Sequence, residues 1–141
     1  MKQRALVSSI MTRDVFTVQI DEKLEDVLRT LRSKKIRHVP VLHAKQLVGI
    51  ISKTDISRLT FSGLFAGEDE VDEAILNMLN ISQVMTHKPR VVNESDTIKE
   101  VAKILASEEF HALPVVKDND HSELAGIVTT TDVIKYLLEQ Y

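Results

Sequence analysis

The chain contains no cysteine, which removes disulfides, thiolate catalysis and cysteine-based zinc sites together and fits a reducing compartment. Glycine is scarce as well. Four glycines in 141 residues leave no phosphate-cradling loop of the Walker or Rossmann type. No apolar run approaches the ~20 residues of a membrane span, and the stretch from Met1 to Arg4 lacks the apolar segment of a secretory signal. The expectation is a cytoplasmic protein with no membrane partner. A net charge of −3 without a long basic stripe argues against nucleic acid, since Lys and Arg contacts to phosphate supply most of that affinity. What the chain does have is 43% hydrophobic residues over 141 positions, enough for a soluble globular unit burying roughly 70% of its unfolded surface.

It also has an internal duplication. Ile10-Met11-Thr12 recurs as Val84-Met85-Thr86, and Val39-Pro40-Val41 as Leu113-Pro114-Val115, both 74 residues later. Gly49-Ile50-Ile51-Ser52-Lys53-Thr54-Asp55 recurs as Gly126-Ile127-Val128-Thr129-Thr130-Thr131-Asp132 at an offset of 77, which places a three-residue insertion in the turn between Val116 and Leu124. Two similar units of this kind usually bury a face that neither could bury alone. The repeats divide the chain into residues 7–61, a linker at 62–80, and residues 81–141.

Each copy reads as β-α-β-β-α, giving an α/β fold of the α+β type with two pseudo-symmetric halves. Val15 to Val18 reads as a strand. Asp21 then caps a helix whose apolar positions Leu24, Val27, Leu28 and Leu31 fall at i, i+3, i+4 and i+7. Pro40 belongs at the start or edge of a strand, Leu47 to Ile51 is a buried strand, and a helix starts at Thr54. In the second copy the strand lies near Val91, Ser95 caps a helix carrying Ile98, Val101 and Leu105, strands span Leu113 to Val116 and Leu124 to Val128, and a closing helix carries Val133, Ile134, Leu137 and Leu138. In the linker, Gly63 to Gly67 precedes the acidic cluster Glu68, Asp69, Glu70, Asp72 and Glu73. Behind it, Val71, Ile75, Met78 and Leu79 recur at helical spacing, predicting a helix of about ten residues whose stripe covers the pair or docks a partner. The carboxylates lack calcium-loop spacing and read as a solvated helix start.

The order Ile-Met-Thr, Val-Phe-Thr-Val, helix, Ile36-Arg37-His38-Val39-Pro40-Val41 and Leu47-Val48-Gly49-Ile50-Ile51-Ser52-x-x-Asp55 resembles a cystathionine-β-synthase (CBS) motif, and the second copy resembles another. Together they look like a stand-alone tandem pair, or Bateman module, of the bacterial acetoin-utilisation type, with the repeats packed through their sheets. The resemblance implies regulatory binding of AMP, ADP, ATP or S-adenosylmethionine in clefts between the repeats, with magnesium as an optional companion and no obligatory cofactor. It also implies a disc-shaped homodimer and an effector protein acted on in trans. The alternative is a dimerising interaction module whose clefts are vestigial.

The ligand contacts so implied are Thr17, Val18, Ile36, Arg37, His38, Val39, Pro40, Ser52, Lys53 and Asp55 in the first copy. In the second they are His111, Ala112, Leu113, Pro114, Thr129, Thr131 and Asp132. Asp55 and Asp132 follow a strand, where a carboxylate accepts hydrogen bonds from vicinal ribose hydroxyls. Ser52 and Thr129, three residues earlier, meet a phosphate at the helix start. Ile36, Val39 and Leu113, with Val18 or Val92, sandwich the adenine. The same Ser/Thr-x-x-Asp spacing is also an ordinary helix cap. The copies are unequal. Lys35, Arg37, His38 and Lys53 surround the first, whereas Ala112 and Thr130 stand opposite His38 and Lys53, and Val91 opposite Thr17. The cleft with Lys53 and Asp55 is therefore the expected polyphosphate site, and the second cleft is expected to bind weakly or stay empty. His38 and His43 straddle a proline strand with no third ligand fixed by spacing, and no nucleophile elbow surrounds Ser52, so neither metal nor catalysis is expected.

Overall fold

A computed structural model describes residues 4–58 and 77–141. The expected linker helix and its acidic cluster fall largely on residues 59–76, outside the described residues. Strands β1 (Val18–Gln19), β2 (His38–His43), β3 (Gln46–Ser52) and β4 (Thr86–His87) form one sheet in that order, and β5 (Val92–Asn93), β6 (Ala112–Lys117) and β7 (Asp120–Thr129) form another. The helices are α1 (Leu24–Lys34), α2 (Lys53–Ser57), α3 (Ile81–Val84), α4 (Ile98–Ser107) and α5 (Thr130–Glu139). In both sheets the first strand pairs parallel with the second, and the second antiparallel with the third.

The two compact units do not follow the repeats. One comprises residues 16–88, the other residues 1–15 together with 89–141. Hydrogen bonds carry this exchange. Thr12 N–H donates to the Ile127 carbonyl at 2.9 Å and receives the reverse bond from Ile127 N–H at 3.0 Å. In the other unit, Thr86 of β4 pairs with Ile50 of β3. Thr12 and Thr86 are repeat equivalents, as are Ile50 and Ile127, so the third strand of each repeat is flanked by the segment that opens the other one. The cores agree: Ile81 and Met85 pack with Val39, Val41 and Ile51, while Val7 and Met11 pack with Val101, Leu113 and Val128.

Helix α1 buries Leu24, Val27, Leu28 and Leu31, the stripe its spacing predicts. Its cap differs from expectation. Lys23, not Asp21, is the N-cap, without a side-chain bond, and in the second copy Thr97 rather than Ser95 caps α4, accepting from Glu100 N–H at 3.1 Å. Both expected residues sit two positions early because the turn after the first strand is itself held by an acid. The Glu22 carboxylate accepts from Gln19 N–H, and Asp96 from Asn93 N–H at 2.8 Å. Ser95 instead donates to Asp118 at 2.9 Å. In the first copy the strand starts later than expected, at Val18, so Thr17 precedes it, whereas the second copy has its strand at Val92–Asn93, next to Val91 as expected.

Pro40 and Pro114 lie inside β2 and β6, not at their starts or on an outer strand. Pro114 pairs with Ile127, whose N–H and carbonyl both face Thr12. The pair is therefore of the non-hydrogen-bonded kind, and a residue there directs its N–H away from β7. Proline loses no bond to β7 at such a position. Pro40 opposite Ile50 repeats the arrangement.

The three inserted residues lengthen the second hairpin instead of its turn. Strand β7 begins at Asp120, well before Leu124, and the register shifts on either side of Val116 absorb the mismatch. The first hairpin turns through Ala44 and Lys45 alone, at φ of 49° and 68°. Left-handed backbone costs a residue with a Cβ roughly 1–2 kcal/mol, which glycine avoids at some entropic cost. Replacing Lys45→Gly is expected to raise stability by about 0.5–1 kcal/mol, read as a higher urea midpoint with an unchanged slope.

Candidate functional site

Each unit ends its central hairpin in the same junction. Ser52 N–H donates to Asp55 Oδ2 at 3.0 Å and Asp55 N–H donates back to Ser52 Oγ at 3.0 Å. In the other unit Thr129 N–H donates to Asp132 Oδ2 at 2.9 Å and Asp132 N–H to Thr129 Oγ1 at 3.1 Å. These are capping boxes, worth about 1 kcal/mol each to their helices. They occupy one carboxylate oxygen apiece. The second oxygen of Asp55 and of Asp132 accepts no hydrogen bond from the described residues, and both side chains are half-buried.

A second strand holds each junction in place. Lys53 N–H donates to the Arg37 carbonyl at 2.9 Å, and Thr130 N–H to the His111 carbonyl at 3.0 Å. His38 consequently lies opposite Ser52, and Ala112 opposite Thr129. Arg37, His38, Ser52, Lys53 and Asp55 thus gather at one end of the first sheet, with Thr17 just ahead of β1. Their equivalents His111, Ala112, Thr129 and Asp132 gather at one end of the second. Thr131 is exposed in the first turn of α5.

The residues expected to sandwich the adenine lie at different depths. Val39 and Leu113 are fully buried, Val18 and Val92 nearly so, and all four side chains belong to the cores of their units. Alternation along a strand points these residues inward. Pro40 and Pro114 are buried too, whereas Ile36 is half-buried against the first core.

Two further contacts lie outside the expected residue set. Lys34 Nζ sits 5.1 Å from the centre of the Phe16 ring, and Arg90 Nη1 lies 4.0 Å from Glu108 Oε1. The 74-residue offset relates the two pairs, and applying it to the last turn of α1 brings them out of the sequence.

Residues 7–61 and 81–139 each match the CBS domain family. The chain belongs to that family, as a tandem pair. Protein MJ1225 of Methanocaldococcus jannaschii is 31% identical over 135 residues. Its crystal structure aligns with a TM-score of 0.81 over 97% of this chain and 49% of that one. This CBS pair therefore spans about half the length of that relative. CBSX2 of Arabidopsis thaliana, crystallised in complex with AMP, is 28% identical with a TM-score of 0.79, covering 96% of this chain and 98% of that chain. The protein AcuB of Vibrio cholerae is 26% identical with a TM-score of 0.76, covering 96% of this chain and 91% of that chain.

Proposed function

We propose that this CBS pair is a regulatory module that binds an adenosyl nucleotide without altering it and signals to a partner protein in trans. The observation that carries the reading is the likeness to CBSX2, whose structure holds AMP and which aligns with this chain almost end to end. The junctions supply suitable chemistry. The spare oxygen of Asp55 or Asp132 accepts from ribose hydroxyls, a charge-assisted contact stronger than a neutral one. Ser52 and Lys53, with Arg37 across the hairpin, offer a hydroxyl and two cations to phosphate, whereas Thr129 and Thr130 offer hydroxyls alone.

Thermal unfolding against AMP, ADP, ATP and S-adenosylmethionine tests this. A ligand present at 100 times its dissociation constant stabilises the native state by about 2.7 kcal/mol, several degrees for a chain of this size. The expected result is a rise in Tm with at least one adenosyl ligand, reduced in Asp55→Ala. Each variant is compared with its own unliganded melt, because the substitution also removes a cap. A second reading, a dimerising interaction module, is favoured by the exposure of Ile134, Leu137 and Leu138 on α5. No shift with any adenosyl ligand, together with a dimer in sedimentation equilibrium, would replace the first reading with the second.

A further inference from the structure

The two junctions differ most in charge, and the difference is built into matched contacts. Where the first unit sets Lys34 against the Phe16 ring at 5.1 Å, the second sets Glu108 against Arg90 at 4.0 Å. Lys35 and Glu109 are the next matched pair, followed by Arg37 and His111, then Lys53 and Thr130. With Asp55 and Asp132 counted, the first sheet end carries four cations and one carboxylate, the second one cation and three carboxylates, histidines being neutral. Glu108 adds a second observation. Its Oε2 is buried without a hydrogen-bond partner among the described residues, so its carboxylate is incompletely compensated. Phe110, matched to half-buried Ile36 and next to Glu109 in the chain, is 38% exposed.

We propose that the two junctions sort adenosyl ligands by charge. The junction at Ser52–Asp55 takes the adenosine polyphosphates. The junction at Thr129–Asp132 takes an adenosyl group that carries no phosphate, best one with a positive centre such as a sulfonium. The inference rests on the nucleotide-binding reading above and assigns a ligand class to each of its sites. Charges within a Debye length of about 8 Å at physiological salt act on a bound ligand directly. A triphosphate at the second junction would meet Glu109 and Asp132 beside the Glu108–Arg90 pair, and a sulfonium at the first would meet Lys35, Arg37 and Lys53 with only Asp55 to offset them.

Titration calorimetry on two variants separates the sites. Asp132→Asn weakens the second junction and Asp55→Asn the first, while the asparagine oxygen still accepts the capping N–H and so preserves the fold. In Asp132→Asn, ATP is expected to bind at least about tenfold more tightly than adenosine, an advantage that shrinks as salt rises tenfold. In Asp55→Asn the order reverses, with S-adenosylmethionine tightest and ATP weakest. Adding Glu109→Lys, an exposed site, to Asp55→Asn should abolish that reversal. The same ligand order in both variants, or an order insensitive to salt, overturns charge sorting and leaves nucleotide binding standing. No binding of ATP, AMP, adenosine or S-adenosylmethionine to either variant overturns both.

Discussion

Ile81→Ala is expected to destabilise the protein by about 2–5 kcal/mol, the range for deleting a fully buried aliphatic side chain, and to do so in the unit that its sequence repeat does not name. Ile81 opens the second family match, at residues 81–139, yet it is fully buried among Val39, Val41, Ile51 and Ile56. Helix α3, which carries it, is only four residues long and is closed by reciprocal bonds between Asn80 and Gln83. A helix that short contributes little by itself, so its worth is the side chain it inserts. Native-state hydrogen exchange reads the location: protection should fall over residues 38–52 and hold over residues 112–129. Loss centred on β6 and β7 would mean that the exchanged segments do not anchor the units they pack against. Val7→Ala is the mirror experiment, with the pattern reversed, because Val7 is fully buried with Val101, Leu113 and Val128.

Gly126→Ala should cost about 1–3 kcal/mol, the range for overpacking, and more than Gly49→Ala. A Cβ on Gly126 would stand 2.6 Å from the Thr12 carbonyl oxygen and 2.8 Å from Met11 Sδ. The first is backbone, and Thr12 is held to Ile127 by two hydrogen bonds, so the clash can be relieved only by opening that bridge. A Cβ on Gly49 would meet mainly the Met85 side chain, with the Thr86 oxygen at 3.0 Å. Methionine has three rotatable bonds and yields more readily than backbone. Urea midpoints of the two variants decide the matter. Equal losses would show that the flanking segments are equally pliant in both units.

The elements were legible where periodicity is strong. The α1 stripe, the strand at Leu47 to Ile51 and the strand around Leu113 all lie where spacing puts them, although Leu47, Val48 and Ile50 are only half-buried. Local signals failed at the helix starts. Asp21 and Ser95 have cap chemistry, but the turn before each helix uses Glu22 and Asp96 for the strand end and leaves the cap to Lys23 and Thr97. The exchange of Val7 and Ile81 between units was illegible for another reason. A repeat specifies what resembles what, not what touches what, and no local pattern says which sheet a two-residue strand will join. At the junctions, the Ser/Thr-x-x-Asp spacing identified the paired residues. The structure adds that the side chains of Val18, Val39 and Leu113 are buried in the cores of their units.

The reciprocal bonds between Ser52 and Asp55, and between Thr129 and Asp132, have a consequence for how such chains diverge. An aspartate that caps its helix is worth keeping whether or not anything binds beside it. A descendant that abandoned one ligand would still be selected for that carboxylate, while exposed charges beside it, such as Lys35 and Glu109, would drift first. Retention of the aspartate in a relative would therefore record foldability, and a change of ligand would be read in its less constrained neighbours.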